Sequence, residues 1–375
     1  MDRRLLAISN HASMLGGGEH SFLDLMSHLR GWSALAATPE YGELGRRLQE
    51  AGVPTTVLPL PPLRPDRPAP IVRALWAMVG AFRSHRASLV YANGSRAAVY
   101  AGLAARLFGL PLVWHCRIAG RDRYLDPLLE RLSKRIVVNS RATSRRFSAI
   151  FRPKIRVVHN GIDLSRFANC RESRPHPGPT GGRLMITVAR VSRWKRHHDV
   201  LAAFEKLATE NPDLHLACIG GPDPEDLAWW KAMQERTRRS FCRDRIHWLG
   251  AVADVAPWYK AADLFVLASE NESFGRVVIE AMASGVPVLA TNGGGIPEII
   301  THDVDGMLFS TGDVSMLVEL ARRILKDPLL RNRIVEEGTR TCQGFSLERH
   351  VKKMTLIFEE AVKAGVRNQK GRGMR

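Results

Sequence analysis

What the chain lacks narrows it first. Its 375 residues include only five cysteines, Cys116, Cys170, Cys218, Cys242 and Cys342, widely spaced and without a Cys-x-x-Cys pair. That argues against a disulfide framework or a cysteine-built zinc site and fits a reducing compartment. Long clean apolar runs are also missing. The most apolar stretches, 71–82 and 97–116, are broken by Arg73 and Arg106, and neither gives the roughly 20 uninterrupted residues a membrane-spanning helix needs. Behind Arg3 and Arg4 the apolar run ends at Asn10, so no signal peptide is expected. Acidic residues are in deficit: 37 Asp and Glu face 55 Lys and Arg, for a formal charge of +18. The imbalance lies at the front, where residues 1–165 hold 24 basic and 11 acidic residues, against 31 and 26 in the remainder. Such a balance suits nucleic acid, an anionic membrane or phosphorylated ligands; an arginine-rich proteome would produce it too.

What is present reads as a soluble α/β protein. Hydrophobic residues make up 45% and charged residues 25%, which excludes global disorder, and the length allows two domains with full cores. Short apolar strands alternate with helical periodicities along the first half: strands at 5–9, 33–37, 55–58, 88–92, 112–115, 136–138 and 155–158, and helices near 22–29, 43–51, 70–84, 95–108, 124–134 and 141–150. Alternation of this kind predicts a parallel sheet covered on both faces. The pattern stops at 168–182, ANCRESRPHPGPTGG, which reads as a linker. A second series follows, with strands at 184–189, 214–219, 246–249, 264–267, 287–290 and 306–309. Its helices fall at 199–209, 224–239, 255–261, 275–284 and 313–326. The expected layout is a domain over 1–167, a linker over 168–182, a domain over 183–346, a final helix over 347–364 and a basic disordered tail over 365–375.

The chain is organised around Ser269–Ile300, SENESFGRVVIEAMASGVPVLATNGGGIPEII. Loop, helix, strand, glycine run and a second helix opening at Pro297-Glu298 follow one another there. Ligands of open α/β sheets bind at such strand ends, and anions favour helix N-termini. Glu272 and Glu280 admit three readings: an acid/base pair flanking a scissile bond, anchors for different parts of one long ligand, or a solvated acidic face. With Glu272 before the helix and eight residues between them, roughly 80° apart around the axis, the second reading fits best. Arg190 and Lys195, in VARVSRWKRHH, flank a loop before a helix and could neutralise a departing diphosphate, or belong to a solvated basic loop. Gly16, Gly17 and Gly18 lie between the first strand and first helix, where a plain tight turn and a close approach to a ligand both fit. His115 ends a strand in LVWHC and is either a crevice residue or a core histidine. Asp163 suits a hinge or a cap.

Together these pieces resemble the retaining GT-B glycosyltransferases of glycosyltransferase family 4. The most specific part is ESFGRVVIEAMASGVPV, similar to the family's Glu-x₇-Glu segment. Gly-Gly-Gly-Glu at 16–19, Val-Val-Asn-Ser at 137–140, His-Asn-Gly-Ile-Asp at 159–163, Arg190 with Lys195, AADLFVLAS at 261–269 and Gly-Gly-Ile-Pro-Glu at 294–298 support it in order. The resemblance implies two Rossmann-like doubly wound domains facing an interdomain cleft. The C-terminal domain would hold a nucleotide-sugar donor, the N-terminal domain would hold most of the acceptor, and the last helix would cross back. Carried over by position, Glu280 would bind ribose and Glu272 the donor sugar. Arg190 and Lys195 would hold the diphosphate, helped by the helix start at Phe274-Gly275. Gly17 and Gly18 would lie near the diphosphate, His115 near the donor sugar, and the Gly294 and Gly295 amides would line the donor pocket. Catalytic roles fall on Glu272, His115, Arg190 and Lys195. Ala268, His20 and Arg276 depart from the family pattern and bear on the donor.

The implied reaction moves a hexose from a UDP- or GDP-sugar to a glycan or lipid-linked glycan of the cell envelope, such as lipopolysaccharide, with retention. No metal and no other cofactor is expected, since fixed cations would stabilise the leaving group. A cytoplasmic protein, peripheral at the inner face of an anionic membrane, is the expected setting, and nucleic acid is not an expected partner. Two alternatives stand beside this: a GT-B nucleotide-sugar epimerase, and a basic nucleic-acid-binding protein. The second would use the cluster at 131–156, which a solvated or membrane-facing surface explains better because no nucleic-acid motif accompanies it.

Overall fold

The computed structural model describes residues 3–14, 16–64, 66–170, 175–178 and 181–372, with side chains to residue 365. The chain forms two compact units, Met1–Gly161 with Leu347–Arg375, and Ile162–Ser346.

The first unit holds seven strands: β1 (Arg4–Ser9), β2 (Ser33–Thr38), β3 (Thr55–Val57), β4 (Leu89–Asn93), β5 (Leu112–Cys116), β6 (Arg135–Val138) and β7 (Ile155–Val157). They pair in parallel in the order β3-β2-β1-β4-β5-β6-β7. Successive residues of β1 serve opposite layers. Leu6 and Ile8 join one core cluster with Val90 and Ala92, while Leu5 and Ala7 join the other with Leu89 and Tyr91. Both faces are thus sealed by helices, which is why these strands read as continuous apolar runs. The final helix, Leu347–Arg372, belongs to this unit. Met354, Ile357, Phe358 and Ala361 enter its core, and the Phe358 ring stands edge-on to Trp32 and Tyr91 at 5.7 and 5.4 Å.

The second unit holds β8 (Arg183–Val188), β9 (Leu214–Ile219), β10 (Ile246–Gly250), β11 (Leu264–Leu267), β12 (Val288–Thr291) and β13 (Met307–Phe309), ordered β10-β9-β8-β11-β12-β13. All its pairs are parallel. In each sheet the order reverses once, between β1 and β4 and between β8 and β11. A crevice opens outside the strand ends at such points.

Several boundaries differ from expectation. The first unit ends at Gly161, not at 167, because Ile162 and Phe167 are buried in the second unit's core, Phe167 against Tyr259 at 6.1 Å. Asp163 is a cap: its carboxylate accepts from the Ser165 and Arg166 amides at 3.0 and 3.3 Å. Of the linker at 168–182, residues 171–174, 179 and 180 lie outside the described residues. The backbone stays helical to Arg372, through most of the segment expected to be a disordered tail; 373–375 lie outside the described residues. The glycine run at 293–295 opens only a three-residue 3-10 turn, Ile296–Glu298, so no second helix dipole exists there. The helix expected over 141–150 is one turn, Arg141–Ser144, followed by a 3-10 segment at Ala149–Lys154. A helix at Pro328–Cys342 was missed.

Candidate functional site

In the second unit the loops after β8, β11 and β12 meet. The Trp194 carbonyl accepts from the Glu270 amide at 2.8 Å, and the Glu272 carbonyl accepts from the Gly295 amide at 2.7 Å. These two backbone bonds tie residues 190–196, 269–275 and 292–298 together. Glycine is obligatory at two places. Gly294 has φ +58°, and a Cβ there would lie 1.9 Å from the Glu272 carbonyl oxygen. Gly275 has φ +97° and begins the helix Arg276–Ala283; a Cβ there would lie 2.3 Å from Ile296 Cδ1. Such backbone conformations are open to glycine at low cost.

Charge is arranged in pairs. Lys195 Nζ forms an ion pair with Glu272 Oε1, both side chains nearly buried, and Nζ stands 4.0 Å from the centre of the Trp194 ring. Arg190 lies 3.5 Å from Asp223, a partner that sequence reading missed. Asp223 is delivered by the turn after β9, where Gly220 at φ +134° would place a Cβ 2.1 Å from the Ala189 carbonyl oxygen. Glu280 Oε1 accepts from Arg276 at 2.9 Å and Oε2 from the Tyr259 hydroxyl at 3.3 Å. Burial, reinforced by the neighbouring Glu280 carboxylate, pushes the Tyr259 phenol well above its usual range, so it stays a donor. The two glutamates therefore occupy separate surroundings, which disfavours an acid/base pair. Nearby, the Ser192 and Ser269 hydroxyls are buried without a partner among the described residues.

The Phe274 ring is 1% exposed and packs against Phe345 at 5.9 Å, so any contact with a ligand falls to the helix start there and not to the ring. The Gly295 amide, expected to line the donor pocket, donates to the Glu272 carbonyl. Among the described residues no group of three or more His, Cys, Asp and Glu is placed to hold a metal. The triplet Asp303-Val304-Asp305 is structural: Asp305 accepts from the Thr301 amide and the Thr341 hydroxyl at 2.7 Å each.

In the first unit a second polar cluster sits where β1 and β4 diverge. Gly17 begins the helix Gly17–His28, and the Gly18 carbonyl accepts from Asn93 Nδ2 at 3.3 Å. Arg117, one residue past β5, lies over this turn; a Cβ on Gly18 would be 3.2 Å from its Cδ. Its guanidinium donates to Asn93 Oδ1, to Asn160 Oδ1 at 2.7 Å and to His115 Nδ1 at 3.3 Å. No carboxylate pairs with Arg117 among the described residues, and sequence reading missed it. The available signal was a lone arginine just beyond a strand end at the sheet's switch point. His115 is fully buried, with the Tyr91 hydroxyl 2.8 Å from Nδ1. Because Arg117 can only donate, Nδ1 accepts and the proton sits on Nε2. Burial first, then Arg117 and His350, hold the His115 pKa well below the ordinary value, so the ring is neutral. Its proposed contact with a sugar has no open surface in this structure.

The basic cluster at 131–156 is not one solvated face. Arg146 is buried in a bidentate ion pair with Asp126, and Lys154 donates to the Glu130 and Ser133 carbonyls at 2.8 and 3.0 Å. Arg135 and Arg156 share Glu360.

The family described as Glycosyl transferases group 1 matches residues 171–341, and the family described as Glycosyltransferase Family 4 matches residues 15–166. The chain is 33% identical over 183 residues to an N-acetyl-alpha-D-glucosaminyl L-malate synthase of Bacillus anthracis, covering 48% of this chain and 46% of that one. It is 27% identical over 258 residues to a D-inositol 3-phosphate glycosyltransferase of Thermobispora bispora, covering 66% and 59%. A lipopolysaccharide core biosynthesis mannosyltransferase, LpsB of Rhizobium meliloti, is 28% identical over 59% of this chain and 65% of its own length. The matches thus span about half to two thirds of these relatives. Among solved structures, Anabaena Alr3699/HepE in complex with UDP and glucose aligns with a TM-score of 0.83 at 22% identity, covering 94% of this chain and 99% of that one. A glycosyltransferase from Rickettsia africae aligns at 0.84 and 19%, covering 96% and 99%. At these identities the structural likeness shows a shared fold.

Proposed function

The chain belongs to the GT-B glycosyltransferases of family 4, and from that premise we propose that it is a retaining hexosyltransferase. The donor is a UDP- or GDP-hexose and the acceptor a glycan or lipid-linked glycan of the cell envelope. The observation that carries this reading is the meeting of Lys195, Glu272 and the tightly packed Gly294 at the carboxyl ends of β8, β11 and β12. A solved structural relative, Anabaena HepE, is described in complex with UDP-glucose, which supports the donor class.

The chemistry follows from charge. Breaking the bond between the anomeric carbon and the diphosphate leaves negative charge on phosphate and positive character on the sugar. Donors fixed beside the phosphate stabilise that state more than the ground state. Lys195 and Arg190 take this role, each released from its carboxylate partner as the diphosphate arrives. Glu272, freed from Lys195, accepts hydrogen bonds from sugar hydroxyls. Glu280, held by Arg276 and Tyr259, accepts from the ribose. Gly17 and Gly18 of the first unit are assigned to the diphosphate by resemblance, and Arg117, without a carboxylate partner among the described residues, lies beside that glycine turn; His115, fully buried, supports Arg117 and is given no sugar contact. Attack from the face the leaving group departs gives retention. No metal takes part in this scheme, and transfer is expected to persist in EDTA. The proposed setting is the cytoplasmic face of a membrane; no helix among the described residues is long and apolar enough to cross one.

A thermal-shift screen of UDP-, GDP- and ADP-sugars tests the donor, because a ligand bound only by the folded state raises its melting temperature. Transfer to lipid-linked acceptors follows with the donor so found. If no nucleotide sugar shifts the melting temperature and none is hydrolysed or transferred, the reading fails.

A further inference from the structure

The helix Pro68–His85 buries Ala74, Met78, Val79 and Phe82 in the first unit's core. Its other face, at helical spacing, presents Val72, Arg73, Trp76 and Arg83 to solvent. Val72 is 49% and Trp76 67% exposed, although tryptophan is highly buried on average. In the preceding loop Leu63, Arg64 and Arg67 are exposed as well. No acidic residue occurs between Arg67 and the end of the helix, and the nearby Asp66 meets Arg67 loosely at 3.9 Å. Arg64, Arg73 and Arg86 have no carboxylate partner among the described residues. Arg83 lies 5.2 Å from the Phe108 ring centre and keeps its charge. An exposed tryptophan and valine bordered by arginines, three of them without a carboxylate partner, have the makeup of a helix that lies in a bilayer interface.

We propose that this face docks the first unit on an anionic lipid bilayer, with Trp76 and Val72 entering the headgroup region and the arginines meeting lipid phosphates. The proposal rests on the membrane setting given above and deepens it by fixing the contact. It moves that contact away from 131–156, where Arg146, Arg135 and Arg156 are already paired with carboxylates. Charge also decides against a second copy of the chain, because a symmetric contact through this face would oppose like charges. A cavity of about 660 Å³ opens along the same helix, lined by Pro70, Arg73, Ala74 and Ala77 together with His11 and Arg96.

The test is flotation of the full chain with phosphatidylcholine vesicles and with vesicles that also contain phosphatidylglycerol. Binding is expected only to the anionic vesicles and to weaken with salt. A Val72→Ser, Trp76→Ser double variant should bind at least tenfold more weakly, and Arg73→Ser with Arg83→Ser should lose roughly fivefold per arginine. An Arg145→Ser, Arg152→Ser variant, altered at exposed positions of the other cluster, should bind as the parent does. The proposal is overturned if the parent binds neither vesicle or both equally, or if the second cluster's variant loses binding and the helix variants keep it. Concentration-dependent dimerisation abolished by the Trp76 change, with vesicle binding intact, would overturn it too. The altered positions are exposed, so circular dichroism melting should match the parent. Vesicle binding involves no donor, whereas the thermal-shift screen involves no lipid, so failure of one leaves the other readable.

Discussion

Glu272 and Glu280 carry the same charge, but different neighbours set what losing each would do. Glu272 is paired with Lys195, so Glu272→Gln leaves a nearly buried ammonium without its carboxylate. We expect UDP to bind as tightly as to the parent or tighter, while kcat falls about a hundredfold, since the change removes the proposed sugar contact and keeps the cation. Lys195→Ala should lower kcat by a similar factor of about a hundred and weaken UDP binding. Calorimetric titration of UDP alongside steady-state kinetics separates the two patterns, and unchanged turnover in both variants would remove the assigned roles. Glu280→Gln should raise the donor KM more than it lowers kcat, because the proposed function puts it beside the ribose. At Gly294 the constraint is steric. With Glu272 O only 1.9 Å from a would-be Cβ, Gly294→Ala should lower stability by about 3 kcal/mol or more and abolish the donor-induced thermal shift.

Among the elements, the last helix is the clearest case of stability held by few contacts. Phe358 is fully buried between Trp32 and Tyr91. Phe358→Ala should destabilise the first unit by about 3–5 kcal/mol, read as a drop in the urea midpoint. The loop after β5 has a different anchor. Arg146 reaches back to Asp126 and to the Ile118 carbonyl at 2.9 Å, with its guanidinium 5.8 Å from the Trp114 ring centre. Breaking a buried pair from one side is costly because it leaves an uncompensated charge. The segment bearing Arg117 therefore starts from a fixed base.

For the whole molecule, acid sensitivity follows from histidines buried in the neutral form in both units. Burial first, then Lys195, lowers the His197 pKa from 6.5 to about 3, and His115 is lowered in the same direction. A folded-state pKa below the unfolded one means that the unfolded chain binds the proton first. The stabilisation from the His197 ring is complete above about pH 6.5 and is lost as pH falls from there toward about 3, and His115 acts in the same direction. Chemical denaturation across that window should show stability declining by a few kcal/mol. His197→Gln should flatten the decline, and an unchanged slope would count against this assignment.

Sequence by itself determined the alternation of strands and helices, the two sheets and the neighbourhood of the site. Apolar runs such as LLAIS at 5–9 can be buried only on both faces, and glycines at strand ends mark where backbone must turn or approach closely. It placed Arg190, Lys195 and Glu272 in the stretches after strand ends and Glu280 on a helix, which is where the structure has them. It did not determine pairing. That Lys195 holds Glu272, that Asp223 faces Arg190 across the turn after β9, and that Arg117 lies over Gly18 all depend on which strands are neighbours. Sequence distance carries no record of that. The same holds for the domain boundary. Composition marked the proline- and glycine-rich stretch after 168, but the burial of Ile162 and Phe167 decided where the second unit begins. Local patterning fixes the elements because each residue's polarity and backbone range act at short reach. Which residues meet at the site is set by tertiary packing, which brings together side chains tens of residues apart.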